Sequence, residues 1–332
     1  MHDTGLTGLN GEAIVYREEE IAELISSVAQ EIRNLDTDKI DKDTLLIEAF
    51  NSATIEGART TIENVKSSIN NPVSKSDKMV VNDLLAQAEV YRSGYEITTD
   101  NIRSLWETVV KDVCENESKK GEKYRNGMVY VSSIIEIIHI PAEANEIEKY
   151  MGQLFRYMNS NENTVIKACI VHFYFVYIHP FCDGNGRMSR LLHNYILYKG
   201  GLSNVRAISI SEQILLRIGQ YSKILHKCEK PTKVDGVNVI DITSFIEYMC
   251  RVILEAVRKS KTRCIEFTDD EKIILSKMRK KGLGAEITVI KVSGILGTNE
   301  DKSRRVLNSL VDKGVLAKRR VGKRNIYTLK IV

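Results

Sequence analysis

His179-Pro180-Phe181-Cys182-Asp183-Gly184-Asn185-Gly186-Arg187-Met188-Ser189-Arg190 crowds a base, an acid, two glycines and two arginines into one short stretch. Upstream, Ala168 to Ile178 is an apolar and aromatic run broken only by His172, which predicts a buried helix aimed at His179. Pro180 stops it. Downstream, Met188, Leu191, Leu192, Tyr195 and Ile196 recur at helical spacing, so a second helix is expected to begin near Asn185 or Gly186. The stretch therefore reads as a loop between two buried helices.

A loop with two glycines at a helix start can turn its backbone N–H groups toward one point, where the helix dipole adds partial positive charge. That makes an anion pocket. Arg187 and Arg190 are three residues apart on one helix face, so both guanidinium groups are expected to reach oxygens beyond the pocket mouth. Asp183 is a hard oxygen ligand beside the pocket, suited to a Mg2+ ion that bridges phosphates. His179, with an ordinary histidine pKa near neutral, sits where a general base belongs.

At these residues the chain resembles the Fic family, whose signature His-Pro-Phe-x-Asp/Glu-Gly-Asn-Gly-Arg-x-x-Arg is matched at every fixed position. The resemblance implies a mainly α Fic-type core with a β-hairpin flap, and transfer of AMP from ATP to a Ser, Thr or Tyr hydroxyl of a protein. It implies His179 as the base, Asp183 as the Mg2+ ligand, Gly184, Asn185 and Gly186 as the phosphate cradle, and Arg187 and Arg190 as grips on the outer phosphates. Tyr221 sits where the family often has a nucleoside-contacting tyrosine. Gly186 opposes the branch typified by the death-on-curing toxin, which departs from the motif at that glycine and transfers phosphate instead.

Farther upstream, Asp41 to Ile55 carries Leu45, Leu46, Ala49 and Phe50 in a helical pattern that Gly57 would stop. Ser52 and Glu56 are four apart on one face of it. Ser52-Ala53-Thr54-Ile55-Glu56-Gly57 resembles the inhibitory helix of those Fic proteins that carry it N-terminal to the catalytic core. A carboxylate reaching the anion pocket would pair with Arg190 and occupy space meant for a phosphate. Glu56 is thus expected to restrain the transfer. In some Fic proteins the same glutamate helps water remove AMP from modified targets, so removal of AMP at the same site stays open.

Hydrophobic residues make up 43% and charged residues 28% of the 332, a globular balance with room for two or three domains. Six cysteines show no paired spacing, no stretch is long and apolar enough to span a bilayer, and no basic-then-apolar signal opens the chain. A reducing cytoplasm is the expectation. Residues 1 to about 10 read as loose, and Glu18 to Leu35, Val80 to Tyr91, Thr99 to Val113, Glu143 to Met158, Ser211 to Leu225 and Ile240 to Val257 as helices. Met128 to Val131 and Ile137 to Ile140 are β-rich runs that fit a hairpin. In the resembling family a hairpin here, at about 128–140, clamps the target protein by strand pairing.

The net charge of +4 conceals an asymmetry: residues 268–332 hold 16 Lys+Arg against 7 Asp+Glu, and the remainder 32 against 37. Three helices, at Asp269 to Arg279, Thr288 to Leu296 and Asn299 to Lys313, precede two strands at Val315 to Arg320 and Asn325 to Leu329. That order predicts a winged helix, with Lys302, Arg304 and Arg305 on the third helix and Lys318, Arg319, Arg320, Lys323 and Arg324 on the wing, placed to meet DNA phosphates. A docking module for protein fits equally. The expected domains are therefore residues 1–96 with the inhibitory helix, 97–261 as the catalytic core and 262–332 as the winged helix. A DNA-binding regulator with a nucleotide-sensing core is the alternative to an enzyme, and a homo-oligomer is compatible with both.

Overall fold

The chain begins in a sheet. The structure is a computed structural model that describes residues 1–36, 43–114, 122–129, 131–132, 137–263, 268–280, 286–313, 315–321 and 324–329. Strands β1 (His2–Thr7) and β2 (Ala13–Tyr16) pair antiparallel and bury Leu6, Ile14 and Tyr16. The expectation of a loose N-terminus is overturned because these apolar residues find a partner in distant sequence. β2 pairs in parallel with β6 (Val237–Asp241), Ala13 opposite Val239 and Val15 opposite Asp241, and β6 pairs antiparallel with β5 (Thr232–Val234). The helix expected from Ile240 is likewise corrected: Ile240 belongs to β6, and the helix starts after it.

Between the two halves of that sheet runs a helical body. It comprises α1 (Glu18–Arg33), α2 (Thr44–Ile55), α3 (Ile62–Ser68), α4 (Lys75–Val90), α5 (Ile102–Val110), α6 (Ile147–Met158), α7 (Thr164–Ile178), α8 (Asn185–Lys199), α9 (Ile210–Leu216) and α10 (Ile218–Cys228). The long helix α11 (Thr243–Arg263) follows the sheet. In α1 the apolar stripe Ile21, Ile25, Val28 and Ile32 is the buried face, as its spacing of four, three and four requires. α7 is buried nearly all round, which is why its sequence shows no polar face, and it packs along α8. Asn163 caps α7, its side chain accepting from the N–H groups of Val165 and Ile166. Strands β3 (Val131–Ser132) and β4 (Ile137–His139) pair antiparallel; the connection expected to close the hairpin, 133–136, and Tyr130 lie outside the described residues.

The chain separates into two compact units, Met1–Val257 and Arg258–Val332. Residues 1–96 share one hydrophobic core with residues 97–257, so packing draws no line after residue 96. The helical body with its small sheets makes the fold mainly α.

The second unit has its own core, built from α12 (Asp269–Lys280), β7 (Glu286–Ile287), α13 (Val289–Leu296), α14 (Glu300–Asp312), β8 (Leu316–Val321) and β9 (Arg324–Leu329). Its sheet runs β7-β9-β8, all antiparallel, and β7 was not anticipated in the sequence. Asn299 caps α14 through a 2.9 Å bond from the Lys302 N–H, as expected. Three of the expected phosphate-facing cations are already paired: Lys302 with Asp270 at 2.8 Å, Arg304 with Asp301 at 3.3 Å, and Arg319 with Glu286. Gly314, expected to stop α14, and Lys323 on the wing lie outside the described residues.

Candidate active site

The loop between α7 and α8 is held by its own side chains and by two elements behind it. His179 ends α7 in the left-handed region, φ 54° and ψ 60°, with its N–H still donating to the Phe175 carbonyl at 3.0 Å. A non-glycine residue there is uncommon and needs external support. Arg125 supplies it. The Arg125 Nε donates to the His179 carbonyl at 2.7 Å, Nη2 to the carbonyls of Ala142 and Ile178, Nη1 to that of Gly127, and the Arg125 N–H to the Pro180 carbonyl at 3.0 Å. Trp106, on α5, stacks on Phe181 and donates its indole N–H to the Asp183 carbonyl at 2.8 Å.

His179 Nδ1 lies 3.2 Å from the Val176 carbonyl. A carbonyl only accepts, so Nδ1 carries the proton and Nε2 keeps a free lone pair. Burial, more than the neighbouring His139 and Arg125, pushes the His179 pKa down to about 4. The ring is therefore neutral at physiological pH and ready to accept a proton.

Asn185 begins α8 as expected, but its side chain faces back into the loop: Oδ1 accepts from the Phe181 N–H at 3.0 Å and Nδ2 donates to the Phe181 carbonyl at 2.7 Å. Only its backbone is left to line a cradle. Gly184 takes φ 76°, and a Cβ there would meet Val110 Cγ1 at 2.8 Å, so both its conformation and its packing require glycine. Asp183 is exposed, one carboxylate oxygen accepting from the Gly184 N–H at 2.6 Å.

The two arginines differ from expectation and from each other. Arg187 does not reach outward. Its guanidinium turns inward, donating to the Val109 carbonyl at 2.7 Å and standing 3.6 Å from Asp83, with its side chain 1% exposed. Val109 lies in the last turn of α5, where carbonyls lack helical partners, so that end attracts the cation. Arg190 donates from Nε to Ser52 Oγ at 3.1 Å and from Nη2 to the Ser52 carbonyl at 3.0 Å and to Glu56 Oε1 at 2.8 Å. Glu56 sits at the C-terminal cap of α2, and Gly57 follows at φ 90° to let the chain leave. A Cβ on Gly186 would fall 2.1 Å from Glu56 Oε1. The carboxylate thus occupies the space above Gly186 at the start of α8, where helix N–H groups and Arg190 converge.

Tyr221 is buried rather than open to a nucleoside. Its hydroxyl is 2.8 Å from His172 Nε2 and within reach of the Arg190 charge, and burial pushes its pKa up. It therefore backs Arg190 from the core side. Among the described residues no group of three or more His, Cys, Asp or Glu side chains could hold a metal ion by itself. The exposed Asp183 carboxylate fits the single protein ligand that a largely hydrated, phosphate-bridging Mg2+ takes.

Residues 96–197 match the sequence profile described as the Fic/DOC family, and the whole loop, all of α7 and α8 as far as Leu197 fall inside the match. The chain carries a Fic domain. A relative from Nematostella vectensis named "Protein adenylyltransferase Fic" is 27% identical over 178 residues, covering 49% of this chain and 40% of its own. One of the same name from Drosophila melanogaster is 34% identical over 110 residues, 32% of this chain and 21% of its own. The chain thus spans less than half the length of these relatives. Among solved structures, a Fic family protein from Desulfovibrio desulfuricans G20 superposes with a TM-score of 0.62 at 21% identity, covering 94% of this chain and 96% of that one. Fic-1 from C. elegans superposes with a TM-score of 0.57 at 16% identity over 73% and 71% of the two chains. At those identities the likeness is one of fold.

Within and beside the Fic domain, three residues that sequence reading passed over prove central to the geometry: Arg125, Trp106 and Asp83. Asp83 left a faint signal, since Asp83 and Gln87 stand four apart on the buried side of α4, where apolar residues are the rule. Arg125 left none, because its partners are carbonyls, which every residue has.

Proposed function

We propose that this chain is a protein adenylyltransferase, transferring AMP from ATP to a hydroxyl of a protein, and that Glu56 restrains it. One observation carries the reading: the Glu56 carboxylate stands in an anion cradle, bonded to the second arginine of the motif at 2.8 Å. A cradle that holds an acid in the protein's own sequence is chemically suited to a phosphate. The names of the relatives support AMP as the group transferred. In the reaction the acceptor oxygen attacks the α-phosphorus, the bond to the β-phosphate breaks and pyrophosphate leaves. His179 Nε2 takes the hydroxyl proton, Arg190 grips outer phosphate oxygens once Glu56 withdraws, and the backbone N–H groups of Asn185 and Gly186 serve the rest, that of Gly184 being held by Asp183. Mg2+ held at Asp183 would supply charge neutralisation between phosphates.

The antiparallel pairing of β3 with β4 supports docking of an extended target segment at that edge. For residues 262–332, the order helix, strand, two helices, two strands supports the winged-helix reading, and exposed Arg305, Arg320 and Arg324 support DNA as its partner. A second reading of the active site, removal of AMP by water, draws on the same Glu56: its side chain is 33% exposed and its charge acts on His179. The deciding experiment is incubation of wild-type and Glu56→Gly protein with ATP labelled at the α-phosphate and Mg2+, with intact-mass analysis of the protein and of a lysate. A gain of AMP, larger for Glu56→Gly, is expected. A gain of phosphate, or none in either protein, would overturn the reading.

A further inference from the structure

Two carboxylates are buried behind the motif helix, and their surroundings are opposite. Glu48, on α2, accepts from Asn194 Nδ2 at 3.1 Å, Ser209 Oγ at 2.8 Å, the Ser211 N–H at 2.9 Å and Ser211 Oγ at 2.6 Å. It is a satisfied structural anion. Asp83, on α4, is equally buried, yet no comparable set of close donors surrounds its oxygens. Its compensation is chiefly charge, from Arg187 Nη1 at 3.6 Å and from Arg190 farther along the same helix, with a weaker hydrogen-bonding pull from the Ser52 hydroxyl. A buried carboxylate so poorly supplied with hydrogen bonds is costly to keep, and such groups cluster at functional sites.

The remaining groups that face Asp83 are few. Ser52, Glu48 and Glu56 face it from α2, and Asn194 from α8. From its own helix comes Gln87, whose Oε1 also lacks a partner, and from α5 the Val109 carbonyl that Arg187 occupies. With no nucleotide bound, the charges of Asp83 and Glu56 balance those of Arg187 and Arg190. The void between these side chains measures ≈ 10 Å³, room for about one water. No substrate atom fits there, so Asp83 acts through the arginines.

Resting on the nucleotide reading above, we propose that Asp83 is a positioning residue of the phosphate site: it holds the two arginines as their buried counter-ion and takes up a proton when polyphosphate replaces Glu56. Burial pushes the Asp83 carboxyl up to about 7, against the pull of Arg187 and Arg190, so near neutrality the group is divided between its two forms. Polyphosphate brings more negative charge than the single carboxylate it displaces. It also engages the cations that hold Asp83 ionised, so the carboxyl rises further. A higher pKa in the bound state means proton uptake on binding. Affinity is then greatest below pH 7 and falls as pH rises above it.

The test compares Glu56→Gly with Glu56→Gly/Asp83→Asn, measuring the Kd of ATP by calorimetry from pH 6 to 8.5. Protonation of the phosphates is common to both proteins and cancels in the ratio of their dissociation constants. The Asn variant stands in the neutral form at every pH. The two should bind alike at pH 6, and the ratio should then grow by roughly tenfold toward pH 8.5, one unit of pKa corresponding to a factor of ten. A merely structural role would shift both curves by one factor at all pH values, and a constant ratio overturns the proposal while leaving the transferase reading intact. No ATP binding by Glu56→Gly at any pH would overturn both. If Asp83→Asn fails to fold, Asp83→Ser replaces it. Independently, the carboxyl carbon resonance that disappears in whichever variant folds should titrate near neutrality in the ligand-free protein; titration in the ordinary carboxylate range would also overturn the proposal.

Discussion

The bond between Arg190 and Glu56 is charge-assisted and half-dry, with the arginine 3% and the acid 33% exposed. Such a bond contributes about 1.5 to 3 kcal/mol. Since ~1.4 kcal/mol is a factor of ten in rate, Glu56→Gly should raise AMP incorporation roughly ten- to a hundredfold at fixed ATP and Mg2+. Arg190→Ala should not, because the arginine freed from Glu56 is the one the phosphates need. Gly186→Ala sets a Cβ where the carboxylate now lies, and where a phosphate would follow. It should therefore release Glu56 and still lose transfer by about a hundredfold, the scale of misplacing a reactive group by an ångström. Nearly unchanged incorporation by Gly186→Ala would show that no phosphate approaches there. His179→Ala should abolish transfer and leave the Kd for ATP close to the parent's. Because the folded-state pKa of His179 lies near 4, turnover of Glu56→Gly at saturating ATP should stay flat from pH 8 down to 6 and fall only in more acid solution. A half-loss near pH 6.5 would mean a solvent-like histidine. The twelve motif residues made His179, Asp183 and the glycines legible as a candidate site on one loop. They could not reveal that Arg187 turns inward, since that depends on the open carbonyl of Val109.

Among the elements, the loop's conformation is set from outside the motif, by Arg125 and Trp106. Arg125→Ala removes four side-chain contacts to carbonyls of Gly127, Ala142, Ile178 and His179 at once. Each bond to a charged donor is worth about 1.5–3 kcal/mol, so the thermal transition of the first unit should drop clearly. Transfer should fall with it, as His179 loses the support for its left-handed backbone, while ATP affinity changes little. Loss of ATP binding to the same degree as loss of turnover would argue that Arg125 supports the whole cradle. Ser52→Ala removes one of two contacts between Ser52 and Arg190, so it should raise transfer, by less than Glu56→Gly. At this scale periodicity read well where one helix buries one stripe, as in α1, and where a run is buried all round, as in α7. It failed at β1 and β6. The strands are short, and the sheet is completed only where β2, the partner of β1, meets β6 across more than 200 residues, a pairing of which a window of local sequence holds no trace.

For the whole molecule, two cores in one chain let the two units be tested apart. A chain ended after Arg263 should keep the Glu56→Gly gain in transfer and lose salt-dependent DNA binding, measured as the slope of log affinity against log salt. Equal slopes for the full and shortened chains would remove DNA from the second unit. The charge asymmetry in the sequence announced that unit, and its helices were legible from caps and apolar spacing. Its first strand was not, because Glu286 and Ile287 are only two residues and become a strand solely by lying beside β9. The contact that joins Glu56 to Arg190 also has a direction in time. The acid precedes the arginine by 134 residues, so a ribosome adding about 5–20 residues per second finishes α2 some ten seconds before the motif helix exists. Each newly made molecule has Glu56 before it has Arg190, and no nascent chain passes through a stage in which the motif helix is complete and Glu56 is still to be made.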